Sequence, residues 1–210
     1  MKRLAIVGSG DLGQLIAWHA EADGHYEVAG FFDDFKKKGE NINNIPVLGG
    51  IADMQRCYKE NAFDELMIGI GYKHFAMRKK IFETYVNQIA FGKLIHSSVF
   101  TDPSCNIGKG VFILPGCTLD MNVTVEDNVL MNTGCIIAHD SRIQAHSFIS
   151  PGVVIAGFVN VGQCCNIGIN TTIIDNVIIA DEVQTGGGTV VIKNIDKAGL
   201  YVGNPARYIR

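Results

Sequence analysis

Proline and charge are scarce in this sequence. Only 5 of its 210 residues are Pro, and Asp, Glu, Lys and Arg make up 19% of the chain. Its 24 Gly residues follow no Gly-X-Y period, and 47% of the residues are hydrophobic. This composition excludes a collagen rod and a low-complexity disordered chain, because the chain has enough apolar surface to bury a core. The length suits one large domain or two small ones.

Clusters of basic residues are also missing. The formal net charge is −3, and the one basic run, Lys36–Lys38, is followed closely by Glu40. Because neutralising nucleic-acid phosphates requires clustered Lys and Arg, we expect no nucleic-acid partner.

Long hydrophobic runs are missing as well. The first apolar run, Leu4–Val7, ends at Gly8 and is too short for the hydrophobic region of a secretory signal. The segment from Ile143 to Ile174 has no charged residue, but Asn, Gln and Thr occur along it, which argues against a membrane span. We therefore expect a cytoplasmic protein that does not enter a membrane.

Residues 2–96 alternate between strand and helix patterns. The predicted strands are Leu4–Val7, Tyr26–Phe32 and Glu65–Ile70, and the predicted helices are Asp11–Ala22, Ile51–Glu60 and His74–Gln88. This βαβαβα order predicts an α/β, Rossmann-like domain at 1–96, in which helices cover a small parallel sheet.

Residues 97–210 follow a period of six. Every sixth residue from Ile107 to Val191 is Ile, Leu, Val or Met, except Thr185. The residue four positions after each is Val, Cys, Ser or Thr throughout, from Val111 to Thr189. This hexapeptide repeat predicts a parallel β-helix. Each hexapeptide would supply a short strand and a corner, three would close one coil, and residues 18 apart would stack at roughly 4.8 Å.

The six cysteines are explained by this register. They form no CxxC pair, and four of them fall at the small inward position of the repeat: Cys105, Cys117, Cys135 and Cys165. They are therefore expected to be compact core residues, and neither a disulfide framework nor a thiolate metal site is predicted.

A glycine-rich loop joins the first predicted strand to the first predicted helix. It reads Gly8-Ser9-Gly10-Asp11-Leu12-Gly13, and Asp33-Asp34 follows the second strand. The glycines would let a phosphate approach the helix N-terminus, and a carboxylate there can accept hydrogen bonds from ribose hydroxyls. The α/β half is short, so a mononucleotide-sized ligand fits better than NAD. Gly71 is expected to shape the same cleft, and the alternative is a turn that only packs strand against helix.

His139 is the candidate catalytic residue of the repeat region. It is the third residue of its hexapeptide, so its side chain should point away from the coil centre, and Asp140 follows it. An imidazole suits removal of a proton from an attacking amine or hydroxyl. Because successive strand side chains point opposite ways, Asp140 can orient His139 only at a coil corner. The alternative is an ordinary surface histidine. No metal is expected, since a zinc site would need a third histidine beside His139 and His146.

These features together resemble those of a known family. They are the glycine loop, Asp33-Asp34, the hexapeptide array, the segment from Asn132 to Asp140, and the closing Gly203-Asn204-Pro205-Ala206-Arg207. They are similar to those of the hexapeptide-repeat sugar acetyltransferases, the group of the sialic acid O-acetyltransferases and the bacillosamine N-acetyltransferases. The resemblance covers nearly the whole chain. It implies a left-handed β-helix, a homotrimer, acetyl-CoA as co-substrate, and a nucleotide-linked amino sugar held by the N-terminal domain.

The resemblance also implies residue roles. His139 matches the general base, Asp140 its acidic neighbour and Asn132 a polar residue of the same site, while the glycine loop and Asp33-Asp34 match nucleotide-sugar contacts. For acetyl-CoA we expect backbone contacts at Gly157, Gly168 and Gly187, phosphate contacts at Lys193 and Arg207, and further contacts at His146 and Phe148.

Two positions depart from the family pattern. Relatives often carry a His or an aromatic residue where this chain has Asp11-Leu12, and an acidic residue there repels a phosphate unless it caps the helix or bonds a base or sugar. Relatives also often have His where this chain has Phe148. Either packing replaces a polar contact to acetyl-CoA there, or His146 supplies that contact instead.

The sequence therefore favours direct acetyl transfer from acetyl-CoA to the amine of a nucleotide-linked sugar, as in bacterial surface-glycan biosynthesis. One alternative is O-acetylation of sialic acid or another sugar hydroxyl, which the same base could serve. A second is a non-catalytic β-helix binding module, which predicts no coenzyme A binding. The sequence leaves open the nucleotide base, the sugar and the position acetylated.

Overall fold

A computed structural model describes residues 1–210, which form two compact units, Met1–Leu94 and Ile95–Arg210. The division lies close to the boundary expected at residue 96. No helix of the chain is both long enough and apolar enough to cross a membrane.

The first unit is an α/β sheet domain. Its elements are β1 (Lys2–Val7), α1 (Asp11–Ala22), β2 (Tyr26–Phe32), β3 (Asn41–Ile42), β4 (Ile45–Gly49), α2 (Met54–Lys59), β5 (Glu65–Ile68) and α3 (Phe75–Tyr85), with 3-10 turns at Ile51–Asp53 and Tyr72–His74. The strand order is β3-β4-β2-β1-β5, and all pairs except β3-β4 are parallel. The three predicted strands and three predicted helices are all present, so the expected Rossmann-like fold is confirmed.

The β3–β4 hairpin was not expected from the sequence. Its turn residues, Asn43 and Asn44, have φ of 50° and 67°. Two positive φ angles in a two-residue loop match the twist of a tight hairpin, and Asn tolerates them. The hairpin places β4 beside β2 and widens the sheet at the edge away from β5.

Helices cover both faces of this sheet. Ala5 packs in one core cluster with Met54 of α2 and Ile81 of α3. The next side chain of β1, Ile6, points to the opposite face, where it lies 3.6 Å from the position of a Cβ on Gly13 of α1. The carboxyl ends of β1, β2 and β5 consequently open toward the glycine loop, where a ligand cleft is expected.

The second unit is a left-handed parallel β-helix. Its strands are β6 (Leu94–Ile95), β7 (Phe100–Thr101), β8 (Asn106–Ile107), β9 (Phe112–Ile113), β10 (Thr118–Leu119), β11 (Thr124–Val125), β12 (Leu130–Met131), β13 (Ile136–Ile137), β14 (Arg142–Ile143), β15 (Phe148–Ile149), β16 (Val154–Ile155), β17 (Asn160–Val161), β18 (Asn166–Ile167), β19 (Thr172–Ile173), β20 (Ile178–Ile179), β21 (Val183–Thr185), β22 (Val190–Val191), β23 (Gly199–Val202) and β24 (Arg207–Tyr208). Through the repeat each strand pairs with the strand three places later, so that Thr118 faces Ile136. The predicted stacking interval of 18 residues is confirmed.

Each corner of the coil contains one residue with a left-handed backbone. From Gly110 to Gly188, every sixth residue has a positive φ between 54° and 73°. Most of these residues are Gly, Asn or Asp, the types that adopt this conformation at least cost. Residues with a left-handed backbone thus recur with the same six-residue period as the inward aliphatic residues.

The small inward position has a second role besides packing. Its hydroxyl and thiol groups donate to the carbonyl that follows the strand of the next coil, fifteen residues along: Ser141 to Ala156 at 2.8 Å, Ser147 to Gly162 at 2.8 Å, Cys135 to Ser150 at 3.2 Å and Cys165 to Ala180 at 3.2 Å. Thr185, the exception in the aliphatic series, accepts the Gly168 N–H and bonds the Thr171 hydroxyl. Polar residues inside the coil are therefore hydrogen-bonded, as burial demands.

Candidate active site

His139 lies at a corner of the coil. It follows β13 by two residues, and Asp140 is the corner residue, with φ of 58°. This turn of the backbone brings the two side chains to the same side, so His139 Nδ1 lies 3.0 Å from Asp140 Oδ2. The His139 side chain is 44% exposed. With Nδ1–H donated to the carboxylate, Nε2 carries the lone pair and is the nitrogen that can take a proton.

Asp140 is held as an anion. The hydrogen bond from His139 lowers the pKa of Asp140, and the Asn122 side chain, which donates to Asp140 Oδ1 at 3.0 Å, lowers it further. Asn122 lies directly below Asp140 in the preceding coil, and its own backbone N–H donates to Ser104 Oγ at 2.8 Å. The carboxylate can therefore stabilise a positive charge on the imidazole without taking its proton.

The other side of the imidazole is formed by the next coil. A Cβ on Gly157 would lie 2.7 Å from Cε1 and 2.9 Å from Nε2 of His139, so only glycine leaves room for the ring there. Phe158 adjoins the ring edge-to-face, with centroids 5.2 Å apart and planes at 86°. Gly157 was expected to contact acetyl-CoA and Phe158 was not predicted to have a role. They follow His139 and Asp140, respectively, by 18 residues. The predicted stacking interval could therefore have identified both as neighbours of the pair.

Asn132 lies at the preceding corner of the same coil. Its side-chain oxygen accepts the Thr133 N–H at 2.8 Å, and its carbonyl accepts the Cys117 and Cys135 thiols. It makes no hydrogen bond to His139. Within one chain the structure thus brings together His139 and Asp140 but not Asn132.

The residues expected to bind acetyl-CoA differ in exposure. His146 is a corner residue only 4% exposed, and its Nδ1 lies 3.0 Å from the Asn128 amide in the coil wall. Phe148 is also buried. Nδ1 of His146 is thus turned into the wall, and the buried side chain leaves little room for a direct contact with acetyl-CoA. Lys193 and Arg207 are exposed.

Gly168 and Gly187 allow neighbouring coils to approach closely. A Cβ on Gly168 would lie 2.3 Å from the Thr185 carbonyl oxygen, and one on Gly187 would lie 3.0 Å from an Ile169 side-chain carbon. Close stacking of the coils is therefore sufficient to explain both glycines.

The first unit has a cleft of about 390 Å³ at the carboxyl ends of β1, β2 and β5. Its lining includes five of the residues predicted to contact a nucleotide sugar: Gly8, Gly10, Asp33, Asp34 and Gly71. It also includes Phe35, Ile51, His74 and Met77, which no sequence motif marks as ligand contacts. These four come from segments that follow strands, where no glycine or carboxylate pattern marks them.

Asp33 holds the glycine loop in place. Its Oδ2 accepts the Ser9 N–H at 2.9 Å and the Ser9 hydroxyl at 2.6 Å, and its Oδ1 accepts the Phe35 N–H at 2.9 Å. Partial burial raises the pKa of Asp33, but these hydrogen bonds outweigh it and the net pKa is below 3.8. Asp34 similarly accepts the Ile51 N–H at 2.8 Å. Both carboxylates already have backbone partners before any ligand binds.

The remaining loop residues lie outside the cleft lining. A Cβ on Gly13 would lie 1.9 Å from the Gly8 carbonyl oxygen, so Gly13 is required for the close packing of α1 against the loop. Ser9 is buried against Asp33, whereas Asp11, the first residue of α1, is exposed. Leu12 is partly buried. The cleft itself is therefore formed by Gly8 and Gly10 rather than by the whole loop.

No group of three or more His, Cys, Asp or Glu side chains in residues 1–210 is arranged to hold a metal ion.

Among known proteins, one family model matches the first unit and several solved structures match the whole chain. Residues 3–85 match the family model of the PglD N-terminal domain. The acetyltransferase domain of PglB from Neisseria gonorrhoeae, solved with acetyl coenzyme A, is 27% identical, covers 99% of both chains and superposes with a TM-score of 0.90.

Two further relatives have either a lower sequence identity or a shorter matching segment. A histidine-to-alanine variant of GDP-perosamine N-acetyl transferase from Caulobacter crescentus, solved with CoA and GDP-perosamine, is 24% identical over 100% of this chain and 98% of that one, with a TM-score of 0.92, and shows the shared fold. UDP-3-O-acylglucosamine N-acyltransferase of Bordetella pertussis is 38% identical over 101 residues, which span 46% of this chain and 28% of that protein.

Proposed function

Because the chain belongs to the hexapeptide-repeat sugar acetyltransferase family, we propose that it transfers the acetyl group of acetyl-CoA to the amine of a nucleotide-linked amino sugar. The observation that carries the proposal is the His139–Asp140 pair at a corner of the coil, in which Nδ1 faces the carboxylate and the His139 side chain is 44% exposed. The Neisseria and Caulobacter relatives were solved with acetyl coenzyme A and with CoA and GDP-perosamine, respectively, which supports both substrates.

His139 acts as general base in a single transfer step. Nε2 takes a proton from the sugar amine while the amine nitrogen attacks the thioester carbonyl carbon. The carbon–sulfur bond then breaks, an amide is formed, and the imidazolium returns its proton to the departing thiolate. A positioned base of this kind contributes about 10²- to 10⁴-fold to the rate. Asp140 stabilises the transient imidazolium through the 3.0 Å contact to Nδ1.

The thioester oxygen gains negative charge during this step and needs a donor. The backbone N–H of Gly157, directly beside the imidazole, makes no hydrogen bond within the chain. We assign it as the oxyanion donor, because an unpaired, fixed N–H next to the base can stabilise charge without rearrangement.

Acetyl-CoA is proposed to lie along the column of corner residues that contains the base. His139, Gly157, Asp175 and Lys193 follow one another at intervals of 18, so Lys193 is about 14 Å from His139, or three strand spacings. Asp175 can accept hydrogen bonds from the amides of the pantetheine arm, and we assign Lys193 and Arg207, both exposed, as contacts to the phosphates. This route needs no contribution from His146 or Phe148.

The nucleotide is proposed to bind in the cleft of the first unit. Its volume of about 390 Å³ is within the usual range for small-molecule sites. Phe35 and His74 offer flat faces for a base, and the N-terminus of α1 offers free N–H groups to phosphate oxygens. The amino sugar attached to this nucleotide is the proposed acetyl acceptor.

The proposed assembly is a homotrimer located in the cytoplasm. Phe100, Ile136 and Val154 are exposed apolar residues on the outer face of one sheet, with Thr118 between the first two, and a second copy of the chain would cover them. Neighbouring copies would also allow Asn132 of one chain to approach His139 of another.

A substrate panel tests the proposal. The chain is incubated with acetyl-CoA and UDP-, dTDP- or GDP-linked 4-amino sugars, or with free sialic acid, and thiol release and product mass are followed. We expect release with a nucleotide-linked amino sugar and a product stable to hydroxylamine, as an amide is. A hydroxylamine-sensitive product or activity on sialic acid alone would establish O-acetylation, and absence of both turnover and coenzyme A binding would establish a non-catalytic module.

A further inference from the structure

Phe158 occupies a corner of the β-helix whose left-handed backbone is unfavourable for a large side chain. Of the corner residues with positive φ, ten are Gly, Asn or Asp and four are not: His146, Phe158, Cys164 and Glu182. Phe158, with φ of 57°, is the bulkiest of these. A large side chain in the left-handed region costs free energy, and such strain is retained where the surroundings or a function require it.

Burial does not account for this phenylalanine. Phe158 is 56% exposed, so the hydrophobic effect gives little reason for an aromatic residue there. The corner residues stacked on either side of Phe158, Asp140 and Asn176, are both types that favour the left-handed backbone. An Asn at position 158 would suit the corner better than Phe does.

The contacts of Phe158 are with the base. Its ring meets the His139 imidazole edge-to-face at 5.2 Å and 86°, and its backbone N–H donates to the His139 carbonyl at 3.1 Å. His139 is thereby held on three sides: by Asp140 at Nδ1, by the Gly157 backbone against its ring atoms, and by the Phe158 ring.

We propose that Phe158 is a positioning residue that restricts the rotamer of His139, so that Nε2 stays aimed at the acceptor amine. This inference rests on the proposed role of His139 as the base. The exposed imidazole has only one hydrogen bond to fix it, since the bond to Asp140 allows the ring to pivot about Nδ1. The aromatic contact removes that freedom, and the strained backbone at position 158 is the cost of placing a ring there.

Four variants test the proposal. Phe158→Asn removes the ring and relieves the corner, Phe158→Leu keeps bulk without a ring, and Phe158→Tyr keeps the ring. Glu182→Asn is the matched control, because it relieves an equally strained corner in a coil position that lacks any contact with His139. We expect kcat to fall about two- to tenfold in Phe158→Asn and Phe158→Leu, the factor corresponding to loss of an aromatic pair. KM for both substrates should be unchanged.

Stability and rescue separate positioning from a structural role. Phe158→Asn should melt no lower than the wild type despite its reduced kcat, Phe158→Tyr should restore kcat, and Glu182→Asn should retain full kcat. An unchanged kcat in Phe158→Asn would overturn the proposal. A raised KM for the amino sugar with normal kcat would also overturn it, because the ring would then be a substrate contact.

A crystal structure of Phe158→Leu gives a readout independent of turnover. We expect the imidazole to occupy more than one orientation, whereas a single orientation with Nδ1 still 3.0 Å from Asp140 Oδ2 would contradict the proposal. If the wild type acetylates no sugar of the panel, the proposed function fails, and this structural comparison still decides whether Phe158 orients His139.

Discussion

Adding one methyl group at Gly157 should move the base and slow the reaction. The φ of Gly157 lies outside the left-handed region, so an Ala there meets no strain of that kind. Its Cβ would lie 2.7 Å from Cε1, 2.9 Å from Nε2 and 3.3 Å from Nδ1 of His139. Ordinary contact begins at 3.4 Å, so the ring must retreat by about 0.7 Å, the difference between 3.4 and 2.7 Å.

A retreat of this size is large for a catalytic group. Misplacement by about 1 Å can reduce a rate by 10²-fold, so we expect kcat of Gly157→Ala to fall by roughly ten- to a hundredfold. This corresponds to about 1.4–2.7 kcal/mol in the activation free energy. The melting temperature should change little, because His139 is 44% exposed and can move into solvent.

A double-mutant cycle assigns the loss to the base. In a His139→Ala background the new methyl group at position 157 meets no ring, so Gly157→Ala should there change the residual rate by less than about twofold. Equal losses in both backgrounds would refute the reasoning. An unchanged kcat with a raised KM for acetyl-CoA would show instead that Gly157 acts only as a contact to that substrate.

Three further predictions concern the scaffold. Ser147→Ala removes a buried hydroxyl that bonds the backbone of the next coil, and urea denaturation should show a loss of about 1–3 kcal/mol in the free energy of unfolding. Gly13→Ala should prevent the first unit from folding and binding nucleotide, because its Cβ would lie 1.9 Å from the Gly8 oxygen, whereas Gly10→Ala, with no atom within 4 Å, should melt like the wild type. Asp33 has a folded-state pKa below its ordinary 3.8, so its stabilisation is complete above that value and is lost as the pH falls toward the folded-state pKa. Other carboxylates with lowered pKa, such as Asp64 and Asp140, titrate in both proteins, so a melting series in acid should show a smaller loss in Asp33→Asn than in the wild type.

The β-helix could be predicted from the sequence because its backbone and its side chains share one period. The aliphatic series ending at Val191 and the small inward series both repeat every six residues, and only a coil of three short strands buries both. Once three hexapeptides close a coil, the stacking of residues 18 apart follows from geometry. His139 and Asp140 can meet only at a corner of the coil. The six-residue period puts a corner residue at Asp140, so this requirement is satisfied.

The surroundings of the base could not be predicted from that period alone. Gly157 and Phe158 touch His139 only because the imidazole leans toward the next coil, and a repeat pattern does not specify the rotamer of a corner side chain. The orientation of the His146 side chain could not be predicted from the period either. His146 was expected to contact acetyl-CoA, but it is only 4% exposed and its Nδ1 lies 3.0 Å from the Asn128 amide.

In the first unit, two features depend on loop geometry and could not be predicted from periodicity. The strands and helices follow from hydrophobic spacing, but the hairpin at Asn43 and Asn44 depends on two positive φ angles. The Asp33 carboxylate also has a structural role that no spacing rule shows, because its partner is the Ser9 backbone and hydroxyl across the cleft edge.

The most direct test of the central claim is the turnover of His139→Ala compared with its affinity for acetyl-CoA. If His139 is the general base, kcat with the nucleotide-linked amino sugar should fall by about 10²- to 10⁴-fold while the Kd for acetyl-CoA stays at the wild-type value. Near-normal turnover in His139→Ala would contradict the account, and so would a loss of turnover that is matched by an equal loss of acetyl-CoA binding.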